Sequence, residues 1–406
     1  MAIGATRKRD LRTGRSLWLD SAGLGIPTRT LRGPIEVDVA VVGAGISGAF
    51  MAHELSRDFS IAVVDRRGPL MGSTVASTSL LQWELDTPLT ALGGQIGEAK
   101  ARRVYLRSRA AVKDLIAIVR RERIACGLKP KRSLYLAGDA YGARALHAEA
   151  EARAAIGLDS VFLHPAELRA RFGIERTGAI LSGGSASADP ARLAAGLLRR
   201  AAKRGARLFA PVEVTETLRG DGHVSLVNGS GFEIRAKSVV FCCGYEFPKG
   251  IPIDGARIIS TWALASRPLA GAPAWLADHL VWEASDPYLY FRTTDDGRIV
   301  VGGEDEASPT RNADPKAIGP KSRKIVRKLK ALIPSLDIDI DYAWAGAFGQ
   351  SATSMPLIGA VPEMPDCFAV MGFGGNGITY SVIASQVVAA AIRGAPDPDA
   401  SLYAFS

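Results

Sequence analysis

The regular pattern of apolar and polar positions begins near residue 37, after a stretch that shows no period. Residues 37–42 form a short, mostly apolar run of the kind typical of a strand buried on both faces. A glycine-rich segment and a helical pattern follow, and a second buried strand is predicted over residues 60–65. Strand, helix and strand within about thirty residues predict a βαβ unit.

Longer periodic segments predict both helices and strands in the rest of the chain. Residues 97–123 have apolar positions along one helical face, and Asp189 before a proline is typical of a helix start. Residues 206–244 have the pattern of strands joined by glycine turns, and residues 286–303 that of a hairpin. A last helix is predicted over residues 377–393.

With 406 residues, the chain is too long for one compact core, which predicts two domains. The first is an α/β domain with a Rossmann-type sheet, and the second is an α+β domain with an antiparallel sheet. Residues 1–35 are expected to form an N-terminal extension on the surface or to be partly disordered. The first domain takes residues 36–82, 185–247 and 343–406, and the second takes residues 83–184 and 248–342.

The net charge of +9 does not by itself indicate a nucleic-acid partner. A nucleic-acid surface needs a dense basic stripe with interleaved aromatic residues, and the sequence has none. Its lysine-rich segment 321–330 has Ile325, Val326 and Leu329 along one helical side, which indicates that the lysines form the solvated face. We expect a small-molecule partner and no nucleic acid.

The four cysteines, at positions 126, 242, 243 and 367, lack metal-ligand spacing, so no metal site is predicted. Structural disulfides are not expected, which favours a reducing compartment. No apolar segment follows the basic N-terminus, and no run of about 18 apolar residues occurs. We therefore predict a cytoplasmic protein without a transmembrane segment.

The glycine-rich segment has the spacing of a dinucleotide-binding loop: Gly43, Gly45 and Gly48 follow the first strand and open the helix. Such a loop lets backbone approach a pyrophosphate, and the helix N-terminus offers it free N–H groups. Asp65 ends the second strand, about twenty residues on, where a carboxylate can bind a ribose. A glycine turn without a ligand is the alternative, and the loop alone does not separate NAD from FAD.

A second glycine-rich loop precedes the last predicted helix, with Thr379 near the first turn of that helix. It provides another helix N-terminus able to face an anionic group. A reduced flavin carries negative charge on its ring, so a helix dipole there would favour reduction. The alternative is an ordinary loop at a helix start.

From about residue 37 onward, the chain resembles the D-amino-acid oxidase and glycine oxidase superfamily of flavoproteins. The segments that carry the resemblance are 188–193, 239–244, 296–303, 344–346, 356–359 and 372–379. The resemblance implies an FAD cofactor. It also implies noncovalent binding, because Trp344 and Ala345 stand near the place of a flavin-linked cysteine and no histidine lies near the glycine loop.

The expected FAD-binding residues combine the glycine loop with positions implied by the resemblance. The loop Ser73–Ser79 is expected along the pyrophosphate and the flavin ring, with a solvated Ser/Thr loop as the alternative, and Val214 is expected near the adenine. The full set is Gly43, Gly45, Ile46, Ser47, Gly48, Asp65, Arg66, Ser73, Thr78, Ser79, Val214, Cys243, Gly244, Gly346, Gly374, Gly375, Asn376, Gly377, Ile378 and Thr379.

The resemblance also indicates a substrate side. Tyr288 falls on the substrate-side tyrosine of glycine oxidase, and Tyr290 shares its strand face, although both could be core aromatics. Phe348 stands where amino-acid oxidases have the arginine that binds the substrate carboxylate. Phenylalanine cannot pair with a carboxylate, so an α-amino-acid substrate is in doubt unless Arg292 takes over.

An acidic run after the predicted hairpin suggests where an amine could bind. The hypothesis is a primary or secondary amine, with or without a second cationic site, rather than a simple amino acid. We expect Glu304 or Asp305 to hold its ammonium group, unless the run is a set of exposed turn charges. Gln82, Trp83 and Trp262 are weaker candidates near the flavin.

The predicted reaction is FAD-dependent oxidation of a C–N bond to an imine by hydride transfer to the flavin. It needs little acid–base machinery, because the protein mainly positions the carbon. One alternative is a dehydrogenase of a hydroxy acid or a polyol phosphate, and another is a flavin-binding subunit without catalysis. The electron acceptor (oxygen, a quinone or a protein) stays open.

Overall fold

The computed structural model describes residues 3–253, 255–351 and 353–405. Its strands are β1 (Ile3–Gly4), β2 (Arg12–Arg15), β3 (Ile35–Val42), β4 (Ile61–Val64), β5 (Leu80–Leu81), β6 (Lys129–Leu136), β7 (Ser160–Leu163), β8 (Ala179–Ser187), β9 (Arg207–Phe209), β10 (Val214–Gly220), β11 (His223–Asn228), β12 (Glu233–Phe241), β13 (Ala256–Ser266), β14 (His279–Glu283), β15 (Leu289–Thr293), β16 (Ile299–Glu306), β17 (Ile340–Ser351), β18 (Leu357–Ala360) and β19 (Cys367–Met371). Its helices are α1 (Ile46–Leu55), α2 (Leu89–Ile96), α3 (Glu98–Arg121), α4 (Ala143–Ala155), α5 (Pro165–Phe172), α6 (Pro190–Lys203), α7 (Pro315–Leu332) and α8 (Gly377–Ile392).

The first sheet has the order β1-β10-β11-β12-β3-β4-β9, and β19 joins it beside β12. Strands β12, β3, β4 and β9 are parallel. Helix α1 covers β3 and β4 and packs against both α6 and α8, which helps to bury the apolar residues of these strands. The predicted βαβ unit is confirmed as β3, α1 and β4. The Rossmann-type part of the predicted fold class is therefore confirmed.

The second sheet has the order β2-β17-β13-β16-β15-β14-β6-β8-β5, and nearly all of its pairs are antiparallel. Helix α7 packs on β13, β16 and β17 through the apolar face that the sequence predicted. The predicted hairpin is confirmed as β15 and β16. Asp189 caps α6 as expected, since its carboxylate accepts the N–H groups of Ala191 and Arg192, both at 2.9 Å.

The N-terminal segment contributes to both sheets, although the sequence pattern predicted no strand there. Strand β1 pairs with β10, and β2 pairs with β17. These strands are too short to show a period. Trp18, only 4 % exposed, fixes the segment by donating its Nε1–H to the carbonyl of Ser77 at 2.6 Å.

The boundaries of the two domains stay a prediction. Strands β5 and β17 belong to the second sheet, whereas the sequence-based division placed residues 80–81 and most of 340–351 in the first domain. The described chain contains no helix with the length and apolar character of a membrane span. The cytoplasmic location likewise stays a prediction.

Candidate functional site

A deep cavity lies at the carboxyl ends of the central parallel strands of the first sheet. Val42, Val64 and Cys242 bring the ends of β3, β4 and β12 to its wall. Tyr290 of β15 and Phe348 of β17 line it from the second sheet. Cavities at the carboxyl ends of parallel strands are the usual ligand sites of open α/β sheets.

The first glycine loop is shaped by close backbone contacts. Gly43 has φ +110°, and a Cβ there would lie 2.3 Å from the carbonyl oxygen of Cys242. A Cβ on Gly48 would lie 1.9 Å from the carbonyl oxygen of Gly43, so Gly48 shapes the loop from behind and does not line the cavity. The hydroxyl of Thr74 accepts the N–H of Ile46 at 2.9 Å, at the start of α1. Gly45, Ile46 and Ser47 remain on the cavity wall.

Asp65 fixes the same loop with its carboxylate, which also faces the cavity. It accepts the N–H groups of Ala44 at 2.8 Å, Arg67 at 2.8 Å and Gly68 at 2.9 Å. Burial raises the pKa of Asp65, although these backbone donors act against that shift. A carboxylate has about four acceptor positions, so one remains for a ligand hydroxyl.

An ion-pair cluster that the sequence did not predict closes this end of the cavity. Glu246 is buried and pairs with Arg66 at 2.6 Å and with Arg67 at 2.6 Å. It also accepts the N–H of Arg9 at 2.8 Å, so it fixes the N-terminal segment here as well. In the sequence, the only indication of this cluster is a glutamate two residues after Gly244. That indication is weak, because the partners of Glu246 come from a distant part of the chain.

Several polar atoms on the cavity wall are buried without a hydrogen-bond partner in the described part of the chain. They are Ser73 Oγ, Ser79 Oγ, Gln82 Oε1 and Arg66 Nη1. Buried polar atoms in native proteins are nearly always paired. The cavity is therefore suited to a ligand that offers hydrogen-bonding groups along its length.

The second glycine loop and the start of α8 form another side of the cavity. The N–H of Gly375 donates to Asp86 Oδ2 at 2.9 Å, and Asn376 donates its side-chain N–H to the carbonyl of Glu84 at 2.5 Å. Thr379 does not line the cavity, since its hydroxyl donates to the carbonyl of Gln82 at 2.8 Å. This hydrogen bond fixes the start of α8 on the side that faces away from the cavity.

Most of the other predicted cofactor residues also lie on the cavity wall, including those that only the family resemblance implied. These residues are Thr78, Val214, Cys243, Gly244, Gly346, Gly374, Gly377 and Ile378. Their assignment as FAD contacts stays a proposal.

Aromatic side chains line the end of the cavity that faces the second sheet. The rings of Tyr288 and Tyr290 have centroids 5.1 Å apart, and the hydroxyl of Tyr290 lies 3.3 Å from that of Thr261. Burial raises the pKa of both tyrosines, so both hydroxyls keep their protons at neutral pH. Phe348 lies at the same end, so the structure brings these three predicted substrate-side residues together.

Asp86 is the carboxylate on the wall at this aromatic end, and the sequence did not single it out. Burial raises its pKa above the ordinary value. The sequence could have indicated Asp86, because it is an acidic residue in the mostly apolar stretch 80–92, next to the loop Ser73–Ser79.

Glu304 is not brought to the cavity. Its side chain is 1 % exposed and lies between two lysines of α7, with Lys324 and Lys328 each at 2.5 Å. Burial acts to raise the pKa of Glu304, but the two lysines hold it below the ordinary value. With its charge already paired, Glu304 is not free to hold an ammonium group.

Asp305 does not line the cavity either, but it lies close behind the aromatic wall. Its Oδ1 is buried without a hydrogen-bond partner among the described residues. Burial, together with the negative charge of Asp86, raises its pKa to about 7.

Replacing Asp305 with asparagine should make the protein more stable at high pH. The folded-state pKa of Asp305 is raised, so its contribution to stability is present below its ordinary pKa of 3.8 and is lost as the pH rises through about 7. We expect Asp305→Asn to exceed the wild type by about 2–4 kcal/mol at alkaline pH and by less at acidic pH. Urea unfolding on both sides of neutrality measures this difference. If the variant were no more stable than the wild type at alkaline pH, the raised pKa of Asp305 would be contradicted.

Three other candidates serve the structure rather than the cavity. Arg292 donates to the carbonyls of Thr78 at 2.8 Å and Ala188 at 2.9 Å, so its guanidinium is not available to a substrate carboxylate. Trp83 donates to the carbonyl of Gly183 at 2.8 Å, and Trp262 is buried under Lys321. Gln82, in contrast, lies on the cavity wall.

Two relatives are similar to this chain over most of its length. The gamma-glutamylputrescine oxidoreductase of Escherichia coli (strain K12) is 24% identical over 391 residues, which cover 93% of this chain and 89% of the relative. The glycine oxidase of Geobacillus kaustophilus (strain HTA426) is 25% identical over 369 residues, which cover 87% of this chain and 92% of the relative.

Solved structures show the same fold. The crystal structure of glycine oxidase from Geobacillus kaustophilus has a TM-score of 0.78 at 21% identity, with 92% of this chain and 99% of that chain covered. L-Proline dehydrogenase from P. horikoshii has a TM-score of 0.75 at 20% identity, with 91% and 97% covered.

The model of one family, DAO, described as FAD dependent oxidoreductase, matches residues 38–391. This match spans the first glycine loop, both sheets and nearly all of α8. The resemblance found in the sequence is confirmed, and the chain is an enzyme that belongs to the DAO family of FAD-dependent oxidoreductases.

Proposed function

We propose that this enzyme oxidises the C–N bond of an amine that carries no α-carboxylate. The observation that carries the proposal is the chemistry of the aromatic end of the cavity. Phe348 and Asp86 line that end, whereas Arg66 and Arg67 are the only cationic side chains among the described lining residues and belong to the opposite end, with Asp65 and Glu246. A substrate carboxylate would find no cation there and would meet a carboxylate instead.

The cofactor fits the rest of the cavity. FAD would lie along the two glycine loops, with Asp65 binding a ribose hydroxyl and the unpaired hydroxyls of Ser73 and Ser79 facing its polar groups. We propose that it is held noncovalently, because burial raises the pKa of the Cys243 thiol and keeps it protonated and unreactive. When bound, FAD supplies the hydride acceptor.

The chain's own residues would position the amine and keep it reactive. The walls around Tyr288 and Tyr290 exclude water from the reacting carbon, and the nitrogen that is oxidised must lose its proton before hydride transfer. The α-carbon gives up a hydride, a C=N double bond forms, and water then hydrolyses the imine to a carbonyl compound and a free amine or ammonia. The names of the two relatives include an amine and an amino acid, and Phe348 favours the amine.

Anaerobic absorbance spectroscopy of the purified holoenzyme tests this function. The panel should include butylamine, N-methylbutylamine, glycine, sarcosine, D-alanine, lactate and glycerol 3-phosphate. We expect amines to abolish the visible band of oxidised flavin and the amino acids to leave it unchanged. Bleaching by the amino acids, or by the two hydroxy compounds alone, would overturn the proposal. A flavin that no compound bleaches would favour a protein that only binds flavin.

A further inference from the structure

The aromatic end of the cavity has the composition of a cation-binding box. Tyr245, Trp282, Tyr288 and Tyr290 all line it. Burial raises the pKa of Tyr245 to about 12, and it raises those of the other two tyrosines as well, so no phenolate forms near neutral pH. The faces of neutral aromatic rings attract ammonium groups, and the attraction is stronger where water is excluded.

Asp86 supplies a carboxylate to this box without a cationic partner. Its Oδ2 accepts the N–H of Gly375 at 2.9 Å, and within residues 3–253, 255–351 and 353–405 its Oδ1 has no hydrogen bond and no ion pair. Asp86 is thus fixed by the second glycine loop while one of its oxygens stays open to the cavity.

A second carboxylate lies behind the wall, also without an adjacent counter-charge. Asp305 Oδ1 is buried and unpaired within the described chain. The lysine whose charge acts on it, Lys321, is already paired with Glu306 at 2.7 Å and lies 4.3 Å from the centre of the Trp262 ring. Asp86 and Asp305 are both half-buried, and a carboxylate that is partly withdrawn from water without a full counter-charge is costly. A cation bound between the aromatic rings would offset that cost.

The cation at Asp86 cannot be the nitrogen that is oxidised. Hydride leaves the α-carbon of a neutral amine, and a nearby carboxylate would stabilise the protonated, unreactive form of that amine. The partner of Asp86 is therefore a second nitrogen of the same substrate, one that stays protonated while the first is oxidised.

We propose that Asp86 binds the distal ammonium group of a linear diamine or polyamine whose other amino group is oxidised. This inference rests on the proposed amine oxidation and names its substrate class. Asp86 is then the residue that determines specificity, and the aromatic box encloses the alkyl chain and the charge.

The test compares 1,4-diaminobutane with butylamine and 4-aminobutanol, which have the same chain length but no second charge. In anaerobic titrations of the wild-type holoenzyme, we expect the diamine to reduce the flavin with an apparent Kd about 100-fold lower than butylamine does. Asp86→Asn keeps an acceptor for the N–H of Gly375 but removes the charge, so the diamine should lose this advantage. Asp38→Asn, which removes a carboxylate outside the cavity, should keep it.

The wild-type comparison decides the inference even if Asp86→Asn does not fold. Equal reduction by diamine and monoamines would overturn the diamine class and leave amine oxidation standing. Reduction by glycine or sarcosine but by no amine would overturn the proposed function itself. A diamine preference that survives in a folded, flavin-bound Asp86→Asn enzyme would overturn the role of Asp86.

Discussion

Asp65→Ala is expected to purify largely without FAD and to rebind it about 100-fold more weakly than the wild type. The substitution removes the acceptor for three backbone N–H groups, those of Ala44, Arg67 and Gly68, which hold the glycine loop in shape. It also removes the group proposed to bind the ribose. Each lost hydrogen bond to a charged group contributes about 1.5–3 kcal/mol, part of which is lost as stability and part as affinity.

Fluorescence titration of the apoprotein with FAD measures this effect, and Asp38→Ala is the matched control. Asp38 lies at the opposite end of the same sheet, where its carboxylate accepts the N–H of Ser60 at 2.9 Å and its hydroxyl at 2.6 Å. Its loss should lower stability but leave the Kd for FAD unchanged. Equal FAD affinity in Asp65→Ala and Asp38→Ala would contradict the proposal that the first glycine loop binds FAD.

Phe348→Arg is expected to strengthen the binding of amino acids, for which the wild type has only weak affinity. The new guanidinium would face the aromatic end of the cavity, where it can donate two parallel N–H groups to a substrate carboxylate. We expect the apparent Kd for glycine or sarcosine in anaerobic flavin reduction to fall by about 100-fold. The same charge should repel cationic amines, so their affinity should decrease.

The control for this variant is Phe348→Leu, which changes the size of the side chain without adding charge. It should bind carboxylate substrates no better than the wild type. If Phe348→Leu and Phe348→Arg reduced equally with glycine, cavity size rather than carboxylate recognition would explain the result. If neither gained activity with any amino acid, Phe348 would not occupy the carboxylate position.

Local signals explain what could be predicted from the sequence. The βαβ unit, the hairpin of β15 and β16 and the capping of α6 each depend on a few neighbouring residues, so their patterns are visible in the chain. Strands β1 and β2 could not be predicted, because strands of two and four residues have no readable period and depend on distant partners.

Distant partners also explain the gaps in the predicted site. Glu304 looked like a free acid after a hairpin, but α7, which follows it in the chain, returns to place Lys324 and Lys328 on its carboxylate. Asp86 and Glu246 were not predicted for the same reason. The second glycine loop, which bonds to Asp86, and the arginines that pair with Glu246 lie far from them in the sequence. Phe348 could be recognised as a departure only because the family resemblance supplied the expected residue.

The most direct test of C–N oxidation is the amount of ammonia released in a single anaerobic turnover of the holoenzyme with a primary amine. We expect one ammonia and one aldehyde for each flavin reduced, because hydrolysis of the imine separates nitrogen from carbon. Flavin reduction without release of ammonia or aldehyde, or reduction by hydroxy acids alone, would contradict it.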